Sequence, residues 1–213
     1  LTIDEMNKIK SDFCNATSRA NEAGFEMLEI HGAHGYLLHS FFSPLSNQRH
    51  DQYGGSLKNR MSYILEVVQA VRSVWPDEKP LFYRISSSDG IDGGITIDHN
   101  ITLVKSLEAL GVDVIDCSSG GIIGSPILAK SRIVPGFQVP YSQKIKAETN
   151  SKTMAVGAII DAEQAETIIT NKRADLVALG RELLADTQWV YRAATRLSPD
   201  SAKKFLPPSY SFY

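Results

Sequence analysis

Five times along this chain, apolar residues at helical spacing give way to a short, largely apolar run. Thr2 followed by Glu5 forms a capping-box signature, and Met6, Ile9, Phe13, Ala16 and Ala20 recur at helical spacing up to Gly24, which predicts a helix over 3–23. The stretch FEMLEIH (25–31) that follows is largely apolar and suited to a buried strand. A second helix is expected from Ser56, because Leu57, Met61, Ile64, Leu65, Val68 and Val71 share one face before Pro76 forbids continuation. LFYRIS (81–86) is the next strand. The alternation then repeats as helix 97–110 and strand 112–118, helix 139–149 and strand 153–157, and helix 162–170 and strand 175–180. A last helix near 187–197 precedes a Pro-containing tail, 198–213.

Near-continuous apolar strands separated by helices imply an α/β protein with parallel strands in βα units, covered by helices on both faces or closed into a barrel. An open doubly wound sheet and a (β/α)8 barrel both fit. His31 ends one strand, Arg84 and Ser86 close the next, and Ser118, Gly157, Gly180 and Arg181 finish the others. Polar or glycine residues at every carboxyl end would ring one mouth in a barrel, whereas an open sheet would spread them along an edge. The pattern therefore favours the barrel, although only about five of its eight βα units are legible, and a single domain over 1–213 is expected.

Composition narrows the function. With 22 basic and 24 acidic residues the formal charge is −2, which offers no broad positive field for nucleic acid or an anionic membrane. No apolar run approaches the roughly 20 residues of a membrane-spanning helix. The two cysteines, Cys14 and Cys117, form neither a disulfide framework nor a cluster motif, which fits a reducing, cytoplasmic setting. The opening LTIDEM lacks an initiator methionine and reads as a point inside a longer protein.

The chemistry concentrates after the first strand. His31, His34 and Tyr36 stand together at its exit. Two imidazoles three residues apart are compatible with metal ligation, but no third ligand of matching spacing is near. The alternative is a group of hydrogen-bond donors that polarises a carbonyl, with the phenol of Tyr36 handing over a proton. Arg84, inside an apolar strand, needs either a salt-bridge partner or a negatively charged ligand. VGAIID (156–161) and LGRELL (179–184) each set a glycine between a strand and a helical segment, as in sites where backbone amides hold phosphate. Neither GxGxxG nor a P-loop is present. The loop 43–55, with Arg49, Asp51 and Tyr53, reads as a structural connection that ends at a capping Ser56.

EIHGAHGYLLHSFFSPLSNQRHDQYGGSLKNR (29–60), DCSSG (116–120), AVGAIID (155–161) and ADLVALGRELLAD (174–186) together resemble the Old Yellow Enzyme family of FMN-dependent ene-reductases, in its bacterial NADPH dehydrogenase and xenobiotic reductase branch. The resemblance runs in order over essentially the whole chain. It implies a (β/α)8 TIM barrel of which this chain holds strands four to eight. It also implies FMN as cofactor, NADPH or NADH as reductant, and an activated alkene or nitro compound as substrate. By the same resemblance His31 and His34 hydrogen-bond the substrate oxygen and lie close to the flavin, and Tyr36 protonates the substrate carbon. Arg84 lies by the flavin's pyrimidine edge and balances the charge of reduced FMN, while Ser118, Gly157, Gly180 and Arg181 surround the phosphate.

Two departures accompany the resemblance. The family carries about three further strands upstream, and the branch often lends an arginine or tryptophan from its tail to a neighbouring subunit. Here the tail reads LPPSYSFY, so Phe212 or Tyr213 is the aromatic that could take that place. Two unpaired sheet edges point to a homo-oligomer. The competing reading is a flavin-free barrel fragment that acts only as an assembly or binding partner.

Overall fold

The structure, a computed structural model, describes residues 1–123 and 134–210. Helix α1 (Ile3–Glu22) starts at the expected capping box, with the Thr2 hydroxyl accepting from the Glu5 amide and the Glu5 side chain returning to the Thr2 amide. It ends at Gly24, whose φ of +84° lets the Phe25 amide reach back to the Ala20 carbonyl. That closure uses up Phe25. Strand β1 therefore runs only over Leu28–Gly32, and Phe25 and Met27 are exposed rather than paired. A short helix α2 (Leu37–Phe42), absent from the sequence reading, follows the histidine segment. Helix α3 (Leu57–Arg72) begins at Ser56, which accepts from the Asn59 amide as expected of its cap.

The remaining units are β2 (Leu81–Ser86), α4 (Ile97–Ala109), β3 (Val114–Ser118), α5 (Val139–Glu148), β4 (Lys152–Val156), α6 (Ala162–Thr170) and β5 (Leu176–Ala178). Helices α7 (Arg181–Ala185), α8 (Trp189–Leu197) and α9 (Pro199–Ala202) and two 3₁₀ turns complete the described chain. Phe212 and Tyr213, the proposed aromatic residues of the tail, lie outside the described residues. Among the described residues no helix is long and apolar enough to cross a membrane.

All neighbouring strands are parallel, and their order in space is their order in sequence, β1-β2-β3-β4-β5. A doubly wound sheet would reverse direction at a switch point. None occurs among the described strands, so the sheet is an arc of a barrel. Strand alternation then sorts the side chains. Ile30, Tyr83, Ile85, Ile115 and Cys117 turn outward and form the main core with α3 and α4, where Tyr63, Val67, Val71, Trp75, Leu103 and Leu107 are buried. Each fully buried Leu or Val on this face contributes roughly 1.5–3 kcal/mol of transfer free energy, and together they fix the pitch of the strands. The opposite faces of the same strands carry His31, Arg84, Asp116 and Ser118, and register makes this systematic: His31 is the partner of Arg84, Arg84 of Asp116, and Ser86 of Ser118. A second, smaller core under β4 and β5 joins Val139, Ala155, Ile159, Ala165, Ile168 and Ala174.

Candidate active site

The histidine segment leaves β1 through a tight turn. The Tyr36 amide donates to the Ala33 carbonyl at 3.2 Å, and the two central residues, His34 and Gly35, have φ of +60° and +78°. Positive φ at both positions is the signature of a type I′ turn, which glycine accepts freely and histidine only against strain. The second loop that meets this turn is equally tight: a Cβ on Gly35 would stand 2.2 Å from the Gly121 carbonyl oxygen, and one on Gly121 would stand 2.5 Å from the His34 Cα. The turn sets the imidazoles side by side. The His31 ring lies 5.2 Å from that of His34 and 5.3 Å from that of Tyr36, centroid to centroid. Tyr36 is exposed at the rim.

Both histidines are neutral at physiological pH. Burial lowers the His34 pKa to about 4, helped by the positive charge of Arg84. His31 is lowered by burial and then by the charge of Arg84. A neutral imidazole presents one N–H and one acceptor nitrogen. In His34 one of these is taken, because Nε2 lies 2.6 Å from the Ser118 hydroxyl.

Arg84 has the salt-bridge partner that one of its sequence readings calls for, and it also faces a cleft. Its Nε lies 3.1 Å from Asp116 Oδ2, on the inner face of the sheet. Asp116 is buried, and burial pushes its pKa up to about 7, although Arg84 opposes the shift and Glu29 adds to it. Its Oδ1 has no hydrogen-bond partner among the described residues. The sequence reading passed over Asp116. The same signal that singled out Arg84, a charge inside an apolar strand, stands one register step away in VIDCS.

The cleft has a volume of about 490 Å³. His34, Arg84 and Ser118 line one part of it, and Gly157, Gly180 and Arg181 line another. Six of the expected site residues thus share one cavity. His31 and Tyr36 are outside its lining and join it through ring contacts with His34 and with each other. Gln138, also missed by the sequence reading, lines the cleft too. Its Oε1 accepts from the Ser119 hydroxyl at 2.5 Å and its Nε2 donates to the Val156 carbonyl at 3.0 Å. At the far end Gly180 precedes α7 with no side chain capping the helix, and the space where its Cβ would stand is open. Arg181 has no carboxylate partner among the described residues. An uncompensated guanidinium beside free backbone amides suits an anion.

Residues 1–200 match the model of the NADH:flavin oxidoreductase / NADH oxidase family. The chain belongs to this family. Among curated relatives it is 50% identical over 197 residues to an NADPH dehydrogenase of Geobacillus sp. (strain WCH70), covering 92% of this chain and 56% of that one. The chain of this flavin oxidoreductase family member thus spans about half the length of the curated relatives it matches. Among solved structures it superposes on 2-naphthoyl-CoA reductase in complex with 2-naphthoyl-CoA with a TM-score of 0.80 at 27% identity, over 87% of this chain and 28% of that one. An old yellow enzyme homologue from Zymomonas mobilis gives a TM-score of 0.75 at 24% identity, over 92% and 54%. These neighbours place the five-stranded arc within a barrel architecture of which it is part. The family's cofactors are FMN and NAD(P)H. The donor set here fits FMN: a cationic and imidazole-lined end suits a polar heterocycle, and the Gly180–Arg181 end suits a phosphate.

Proposed function

We propose that this chain forms the FMN-binding and substrate-activating part of an NAD(P)H-dependent ene-reductase acting on activated alkenes, such as α,β-unsaturated carbonyl or nitro compounds. The observation that carries the reading is the single cleft that joins His34 and Arg84 to Gly157, Gly180 and Arg181. FMN, when bound, supplies the hydride. Every other role falls to the protein. Gly157, Gly180 and Arg181 hold the phosphate through backbone amides and a free guanidinium, and Ser118 lies between them and His34. Arg84, steadied by Asp116, offers positive charge to the heterocycle and balances the electron density it gains. His31 and His34, neutral and preoriented, donate hydrogen bonds to the substrate oxygen and draw electron density from the alkene, so that its far carbon accepts hydride. A neutral donor polarises the oxygen without itself surrendering a proton. The phenol of Tyr36, at the rim beside His31, gives the proton to the other alkene carbon. The free thiols Cys14 and Cys117 suit a reducing, cytoplasmic setting.

The complete natural polypeptide carrying this chain, titrated with FMN and followed in the visible, tests the proposal. Bound yellow flavin bleached by NADPH under anaerobic conditions and restored by cyclohexenone supports it. Flavin that is bleached but not restored by any activated alkene removes the ene-reductase assignment, and failure to bind FMN returns the chain to a non-catalytic assembly role.

A further inference from the structure

The strained His34–Gly35 turn is held from beneath by a pair of buried groups that the proposed chemistry does not use. His39, on α2, is wholly buried, and its Nδ1 accepts the Gly35 amide at 2.9 Å. An Nδ1 that accepts carries no proton, so the proton of His39 resides on Nε2. That atom lies 2.9 Å from Oδ1 of Asp89, whose side chain is also wholly buried. Asp89 is fixed in turn: its Oδ2 accepts the Ser43 hydroxyl at 2.7 Å and the Ile95 amide at 2.9 Å. Burial alone would raise its pKa, but the contact with His39 and the bonds from the Ser43 hydroxyl and the Ile95 amide outweigh it and hold the carboxyl below the usual carboxylate range. The other central amide of the turn, that of His34, is held by the Ser86 hydroxyl at 3.0 Å, and Ser86 donates onward to the Gly120 carbonyl at 2.7 Å. Both N–H groups of a left-handed pair are thereby anchored to side chains from other parts of the chain, which is how such strain persists.

We propose that His39 and Asp89 are positioning residues. By dictating the tautomer of His39, Asp89 secures the Gly35 amide, and with it the placement of His34 and Tyr36 on either side of Gly35. The inference rests on the proposed roles of those two side chains. Its physical core does not, because the tautomer and the Gly35 bond are properties of the protein alone.

The tautomer makes the inference testable with an isosteric change. In Asp89→Asn the Ile95 amide still requires an acceptor, so the amide oxygen occupies the Oδ2 position and the NH₂ group faces His39 Nε2. The His39 proton must then move to Nδ1, where it opposes the Gly35 N–H. In the complete FMN-loaded polypeptide, ¹⁵N NMR of the histidine ring is expected to report the Nε2–H form in the parent and the Nδ1–H form in Asp89→Asn. Hydrogen exchange at the Gly35 amide should accelerate about tenfold or more, the loss of one buried hydrogen bond. Phenol binding, read from its charge-transfer band with the flavin, should weaken by about the same factor, while FMN affinity changes less than about twofold. His39→Asn, which can place an amide oxygen near the Nδ1 position, should recover most of the Gly35 protection. A parent protein in the Nδ1–H form, or an Asp89→Asn protein with a reversed tautomer and unchanged phenol affinity, overturns the proposal. If Asp89→Asn proves unfoldable, His39→Asn decides through Gly35 exchange: retained protection supports the clamp and full loss overturns it. A parent that binds FMN but no phenol removes the assigned roles of His34 and Tyr36, and the tautomer and exchange measurements still decide the clamp.

Discussion

Replacing Asp116 with asparagine should make the protein more stable, and increasingly so as pH rises. Asp116 is 2% exposed, so its carboxyl has almost no solvation of its own. Burial pushes its pKa up to about 7, with Arg84 only partly compensating and Glu29 working against it. An unfolded aspartate titrates near about 3.9. Between those values the folded protein retains a proton that the unfolded chain has released. Stability is therefore full below the unfolded pKa and is lost as pH rises through the folded one, by roughly 1.4 kcal/mol per pH unit. The total is on the order of 4 kcal/mol. Asparagine keeps the shape, leaves an oxygen for Arg84 and cannot ionise. The stability gap between Asp116→Asn and the parent should widen by about 3 kcal/mol from about pH 5 to about pH 8. Urea unfolding of the flavin-free complete polypeptide at several pH values measures that gap. A gap independent of pH would show that Asp116 is not desolvated as the structure places it. A gap that narrows as pH rises would mean that Arg84 stabilises the carboxylate by more than burial costs it.

Tyr36→Phe should slow the alkene half-reaction by about a hundredfold while NADPH still reduces the flavin at the parental rate, a split that stopped-flow spectroscopy resolves directly. Equal slowing of both halves would remove Tyr36 from proton transfer. Gly121→Ala adds a Cβ 2.5 Å from the His34 Cα at a φ of +100°; the protein should lose about 1–3 kcal/mol of stability and bind phenol more weakly, and parental values of both would show that the two loops are not packed back to back.

Much of this fold is legible in the chain because its information is local. The capping box at Thr2, the apolar stripe of α3 and the cap at Ser56 each act over a few residues, and the structure realises all three. The strand starts are less legible. FEMLEIH is largely apolar from its first residue, yet the closure of α1 through Gly24 consumes its first residues, a backbone hydrogen bond with no signature in hydropathy. Helix α2 escapes notice because its six residues are too short to display a period. At the site, residues set apart by type, such as His34 and Arg84, stand out from sequence alone. Gln138 and the His39–Asp89 pair do not. Gln138 is one polar residue among many near a helix start, and His39 and Asp89 are fifty positions apart in sequence, brought together only when α2, packed against β1 and α3, meets the loop that follows β2. The loop 43–55 carries the charge pair and turns expected of an ordered connection. Arg49 pairs with Asp51 at 2.5 Å, and Asn47 ties the Phe41 and Tyr53 carbonyls.

A crystal structure of the complete polypeptide with FMN bears most directly on whether the inner face of these five strands is built around a flavin nucleotide. The heterocycle should lie beside Arg84 and His34, and the phosphate should be bound by the amides at Gly157 and Gly180 and by Arg181. Density for the flavin at another face of the barrel, or a phosphate held away from Gly180 and Arg181, would refute the assignment of this cleft.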